Sequence, residues 1–222
     1  MGDCFKSTGS VQTEIRDLPD FNRLEVEDNI NVFIRFGGPH RAEIEAGKNL
    51  LEHIETQVEG NTLHIRNNNK CNWVRSFKHP IDITLYCGEL DELIAHGYGT
   101  IETLDTLVQT TFLAEQWLAS GMIKLLLNTD EVYLKSHTGP ADFECRGHSD
   151  FLYAYNSSQG ILKLAGVQAQ NAFVWNTGTG DIYVNASDSL EILIENVGDV
   201  YYTGQPGYVT STINHDGEAI PF

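Results

Sequence analysis

"NTGTGDIYVN" (residues 176–185) is echoed by "ENVGDVYYTG" (195–204), so that Gly180-Asp181-Ile182-Tyr183 and Gly198-Asp199-Val200-Tyr201 spell one phrase twice, eighteen residues apart. Beyond this pair, glycines in the same phase stand at 99, 121, 139, 160, 180, 198 and 217, separated by 22, 18, 21, 20, 18 and 19 residues. They open similar phrases: "GTIETL", "GMIKLL", "GPADFEC", "GILKLA", "GDIYVN", "GDVYYT" and "GEAIPF". An apolar residue recurs two places after the glycine at Ile101, Ile123, Leu162, Ile182 and Val200, whereas "GPADFEC" reads as carrying inserted residues. A period near twenty built only of short strands, with glycine at fixed phase, is what the stacked coils of a β-solenoid require. Glycine turns the corner where a Cβ would strain the chain, and each coil's inward residues then lie over those of the next at a strand spacing of about 4.8 Å. An all-β sandwich also has short strands and regular turns, but it gives glycine no reason to keep step with one apolar position.

Upstream of the repeat the chain still reads as strands. "RLEVED", "NVFIRF", "RAEIEAG", "IETQVEG", "NTLHIRN" and "IDITLYC" alternate apolar and polar residues, with turns at Gly37-Gly38-Pro39 and Gly60-Asn61. The best helical stretch, "GKNLLEHIETQ", supports one short turn around Leu50, Leu51 and Ile54. The expected fold is all-β: a right-handed single-stranded β-helix over 97–222, with an N-terminal β-rich region, 1–96, stacked on the same core as one continuous domain. "GEAIPF" is expected to close the open end, or a homo-oligomer to cover it, because a bare edge strand invites another chain.

The chain has 222 residues, 41% of them hydrophobic, enough for a sizeable core. Its 31 acidic against 14 basic residues give a net charge of −17, which repels phosphate backbones and argues against nucleic acid as a partner. Apolar runs such as that of "MIKLLLN" fall far short of the roughly 18 residues of a membrane span. The start, "MGDCFKSTGS", has no apolar core of a signal peptide, and a leader removed from an exported protein is expected. Cys87 and Cys145 alternate with apolar residues and read as buried. Cys4 and Cys71 lie in polar, turn-like stretches and form a candidate disulfide, which would go with an oxidising compartment. Asp3 makes Cys4 a poor site for lipid attachment.

Several residues carry candidate chemistry, each with a plainer structural reading. Asp181 and Asp199 follow the in-phase glycine, with Glu218 one rung on; stacked carboxylates could hold a cation, or could simply cap corner amides. Tyr183 and Tyr201 share the next outward position, with Tyr202, Trp175, Tyr153 and Tyr155 on neighbouring phases. Such a file of rings suits a sugar or a partner's surface, and equally stabilises a sheet by cross-strand pairing. Asp142, Arg146, His148 and Asp150 in "ADFECRGHSD" are the residues to test for carbohydrate chemistry, and the same cluster suits a polar, inserted loop. The histidines show no zinc-ligand spacing, no nucleotide loop or nucleophile elbow is present, and no cofactor is expected.

"VEDNINVFIRFG" (26–37) keeps Ile30-Asn31-Val32 after an acidic strand, with Asn29 where glycine is usual, and "AEIEAGKNLLEHIETQVEGNTLHIRN" (42–67) follows with an apolar strand, a lone glycine and a strand pair. Together with the later Gly-Asp-Ile/Val rungs, this resembles the bacterial head-GIN domain proteins, provisionally described as auto-transporter adhesins, over roughly residues 10–215. The resemblance implies a right-handed β-helix-like fold, export to the envelope, and frequent lipoprotein or periplasmic placement. It brings no catalytic residues. The function expected is that of a non-enzymatic cell-envelope protein, exported to the periplasm or cell surface, that binds a surface glycan or protein. The alternatives are a carbohydrate-active enzyme on a β-helix and a purely structural envelope scaffold.

Overall fold

The computed structural model describes residues 8–69 and 80–222, of which about 65% are in strands and 2% in helix. The chain opens with β1 (Val11–Asp17), β2 (Arg23–Val26), β3 (Ile30–Phe36) and β4 (Arg41–Gly47), makes the single helical turn α1 (Lys48–Leu51), and continues through β5 (Ile54–Glu59) and β6 (Thr62–Asn67). Next come β7 (Ile81–Cys87), β8 (Glu92–Ala95), β9 (Thr100–Thr103) and β10 (Leu107–Gln116). Three fifteen-residue strands follow, β11 (Met122–Ser136), β12 (Asp142–Asn156) and β13 (Leu162–Asn176). The last are β14 (Ile182–Ile194), β15 (Val200–Thr203), β16 (Tyr208–Ile213) and β17 (Ala219–Pro221). All lie in one curled sheet, a β-solenoid of about six turns.

Each long strand serves two limbs of a coil. In β11 the buried residues are Ile123, Leu125 and Leu127; the alternation slips at Asp130-Glu131 and resumes with Val132 and Leu134. The slip recurs at Asp150-Phe151 and Gln170-Asn171, so two consecutive residues stay out of the core at the bend of each of these three coils. Parallel register then stacks one inward column from Ile83 through Val32, Ile101, Ile123, Phe143, Leu162 and Ile182 to Val200. On the facing limb Leu93, Ala114, Leu134, Ala154, Val174 and Ile192 stack likewise. Full burial of each large apolar side chain is worth roughly 1.5–3 kcal/mol, so the columns, more than the propensity of any one strand, hold the coils together.

At the corner the coils touch through backbone. A Cβ on Gly180 would stand 1.9 Å from the carbonyl oxygen of Gly160, and one on Gly160 would stand 1.8 Å from that of Ala141. Ala141, not Gly139, therefore holds the phase position on its coil, and Phe143 is the apolar residue two places on. Nothing is inserted in "GPADFEC": Gly139 stacks earlier in the corner, against the carbonyl of Ala119, with φ +99°.

The N-terminal strands share the same core, but the coils do not follow one another in chain order. β2 lies between β6 and β8, and β3 between β7 and β9, all parallel. The first coil made is thus the second in space. β4 runs antiparallel on β7, β1 on β4, and β5 on β6; with Leu50 and Leu51 of α1 buried, they close this end. Across residue 96 the core is continuous, with Val32 of β3 stacked directly on Ile101 of β9.

At the other end β16 pairs with β14 and β17 with β15, and among the described residues neither has a strand on its outer side. "GEAIPF" therefore adds the last rung and leaves an edge, along which Tyr208, Ile213 and Phe222 are exposed. The amide of Phe222 points inward to the Tyr202 oxygen at 3.0 Å, so by alternation the missing N–H of Pro221 falls on the open side and blunts it. Cys87 and Cys145 are buried, as their alternation implies, and burial pushes both thiols up, that of Cys87 to about 12. Cys4 and Cys71 lie outside the described residues.

Candidate functional site: an outward aromatic face

On the second limb of the central coils the outward positions are aromatic. Tyr133, Tyr153 and Phe173 stack in register on β11, β12 and β13, and Tyr155 meets Trp175 in the next column. They point outward because Leu134, Ala154 and Val174, which alternate with them, are buried. Ring centroids are 5.8 Å apart for Tyr133 and Tyr153, 5.6 Å for Tyr153 and Phe173, and 5.1 Å for Tyr155 and Trp175. Phe151 edges onto Tyr133 at 6.2 Å. The second file is continued by His137, 5.4 Å from Tyr155, and by Trp117, stacked flat on His137 at 3.5 Å.

Polar groups orient these rings. The indole nitrogen of Trp175 donates to Glu195 at 2.9 Å, that of Trp117 to Glu115 at 3.2 Å, and the Tyr133 hydroxyl to Glu131 at 2.8 Å. The bond to Glu131 raises the Tyr133 phenol above its usual range. Burial pushes the Glu115 carboxyl up, but hydrogen bonds from Lys135 (2.8 Å) and Trp117 outweigh it and leave the group low. Burial lowers His137, with the charge of Glu115 opposing. The face is a partly desolvated aromatic plane with an ion pair of Lys135 and Glu115 at its edge, suited to stacking.

Of the six ring residues expected from the sequence, Tyr153, Tyr155 and Trp175 come together here. Tyr183 and Tyr201 stack on the other limb, 4.6 Å apart and 7° from parallel, with Phe222 edge-on to both. Tyr202 pairs with buried Val184 and packs against the core. A single file of six is therefore replaced by two separate groups and one packing residue. Trp117, Tyr133, His137, Phe151 and Phe173 were missed, although an offset of twenty residues links Trp117 to His137 and Tyr133 to Tyr153 and Phe173.

The stacked acids act as corner caps. Asp181 Oδ1 accepts the amide of Asp199 at 3.0 Å, Asp199 accepts that of Glu218 at 2.8 Å, and Asp142 that of Ile161 at 2.7 Å. Among the described residues no three His, Cys, Asp or Glu side chains are grouped to hold a metal ion. Asp142, Arg146, His148 and Asp150 lie along the one continuous strand β12, not on an inserted loop. Arg146 is paired with Glu144 at 2.9 Å, and exposed His148 stands 3.4 Å from Asp150. His64 and His96 meet elsewhere, on Glu25, at 3.0 and 3.4 Å. Asn29, in the place usual for glycine, accepts a hydrogen bond from Asn67 at 2.8 Å.

Residues 20–206 match the family described as "Putative auto-transporter adhesin, head GIN domain". The chain belongs to this head-GIN family. A comparison with curated proteins found no match. Among solved structures, a putative adhesin from Bacteroides fragilis is 19% identical with a TM-score of 0.86, covering 96% of this chain and 97% of its own. A putative adhesin from Parabacteroides merdae is 15% identical (TM-score 0.77; 97% and 98% covered), and a putative lipid binding protein from Parabacteroides distasonis is 18% identical (0.75; 97% and 98%). At these identities the likeness is one of fold. Membership of the head-GIN family supports an adhesin-like role and a place at the cell surface or among exported proteins. Among the described residues, no helix of this head-GIN chain is long and apolar enough to cross a membrane.

Proposed function

We propose that this head-GIN protein is a non-enzymatic, exported binding module that holds a surface glycan by stacking sugar rings on the face of Tyr133, Tyr153, Phe173, Tyr155 and Trp175. The observation that carries the reading is the paired aromatic files, held at strand-to-strand spacing on three adjacent coils. Core packing does not require them, because the inward columns are already complete. A sugar presents an apolar C–H face to a ring and hydroxyls around its rim. Here the rings supply the first partner, while Glu131, Lys135 and Glu195 at the edges supply donors and acceptors for the second. The acidic remainder of the surface keeps the module soluble and disfavours unspecific anionic partners.

The test is a glycan array probed with the wild-type chain and with a Tyr155→Ala/Trp175→Ala double variant of unchanged melting temperature. Loss of two stacked rings should weaken binding by about tenfold or more. Equal binding by wild type and variant would remove the face from consideration. If no glycan binds but an envelope protein is captured by the wild type alone, the face recognises protein; if neither binds, the scaffold reading takes its place.

A further inference from the structure

On the first limb, away from the aromatic face, β13 carries more residues than its neighbours. Glu144 pairs with Lys163 but Arg146 with Gly166, and against β14 the register slips again between Lys163 and Ala169. A bulge re-aims side chains and breaks the surface of a sheet. Here it opens a cleft of about 500 Å³ lined by Ile161, Ala165, Gly166, Tyr183 and Phe222, with the charged residues Glu144, Arg146 and Lys163 also in its lining. That volume falls within the roughly 300–1,000 Å³ of small-molecule sites. At Gly166 β13 runs close against β12, since a Cβ there would stand 2.8 Å from the Cys145 oxygen and 2.9 Å from Arg146 Cγ.

The charges differ in availability. Arg146, which also lines the cleft, is engaged by Glu144 at 2.9 Å. Exposed Lys163 makes no ion pair among the described residues, because the carboxylate opposite it on β12, that of Glu144, is taken by Arg146. An unspent cation beside an apolar, aromatic-walled cleft complements a molecule with an apolar body and one anionic group. A sugar fits less well, because the surface of the cleft is mainly apolar.

We propose that this cleft binds a small anionic amphiphile, its apolar body against Tyr183, Phe222 and Ile161 and its anionic head on Lys163. The site is separate from the aromatic face and does not depend on the glycan reading. It can be tested by fluorescence titration with 8-anilinonaphthalene-1-sulfonate and with N-phenyl-1-naphthylamine, which has the same ring body without the sulfonate. Saturable binding of the sulfonate, tighter than that of the neutral probe, is expected. Lys163→Gln should weaken the sulfonate by about fivefold and leave the neutral probe unchanged. Phe222→Ala should weaken both, and Ala165→Leu, which fills the cleft, should abolish both, in variants whose melting temperatures match wild type. Absence of saturable binding, or affinities unchanged in Lys163→Gln and Ala165→Leu, would overturn the proposal.

Discussion

Asn156 and Asn176 stack in register at the end of the inward face, fully buried. Each closes its own corner: the Asn176 side chain donates to the Gly180 oxygen at 3.0 Å and accepts the Gly178 amide at 3.1 Å, and Asn156 does the same for Gly160 and Ser158, both at 3.0 Å. Truncation would leave buried backbone groups without partners, at about 1–3 kcal/mol each. Asn176→Ala is therefore expected to lower the unfolding free energy by about 2–4 kcal/mol, read by urea denaturation; a loss below 0.5 kcal/mol would show that water replaces the side chain. His137 has a different consequence. Its folded pKa lies below the ordinary 6.5, chiefly through burial, so the native state disfavours the proton. The associated stability is present above the ordinary value and is lost as the pH falls through the lowered one. The melting temperature should drop between about pH 7 and pH 5, with a smaller drop in His137→Gln; parallel curves would place the titration elsewhere.

Among elements, the glycine rungs were readable in the sequence because backbone passes so close to backbone that a side chain has no room. The same physics explains where the reading slipped. Ala141 holds the phase position on its coil, its carbonyl against Gly160, so the spacing of glycines alone points to Gly139 instead. Part of the aromatic face is readable for a related reason: Tyr153, Tyr155 and Trp175 alternate visibly with buried residues, as do Tyr133 and Phe173, whereas Trp117 and His137 sit just past the strand ends, where alternation stops and only the twenty-residue offset connects them. The cap is held by an element-to-element clamp that no periodicity announces. Arg16 of β1 donates to the carbonyls of Ile54 at 2.6 Å and Leu51 at 3.0 Å and to Thr56 Oγ1 at 3.1 Å, joining β1 to α1 and β5. Arg16→Ala should raise amide hydrogen exchange in β1, α1 and β5 by about tenfold or more while leaving β11 to β13 protected. Uniform exchange throughout would mean that the cap and coils open as one unit.

For the molecule as a whole, the solenoid was legible from one residue phase, but the position of its first coil was not, since stacking β2 and β3 between later segments leaves no mark in spacing. Contacts of the central coils join residues about 20 apart, such as Gln116 to Ser136. Those around β3 join Asn31 to Asp82 and to Thr100, 51 and 69 residues away. A chain emerging from the ribosome therefore makes its first coil long before either flanking layer exists. One backbone edge of residues 23–36 must wait, unpaired, until residue 87 has been synthesised and the other until residue 103, whereas every coil after β9 can dock at once on a finished neighbour. The N-terminal segment is thus a page inserted into a book bound from the other side, and the interval before its insertion is when the protein is most open to capture by another chain's strand.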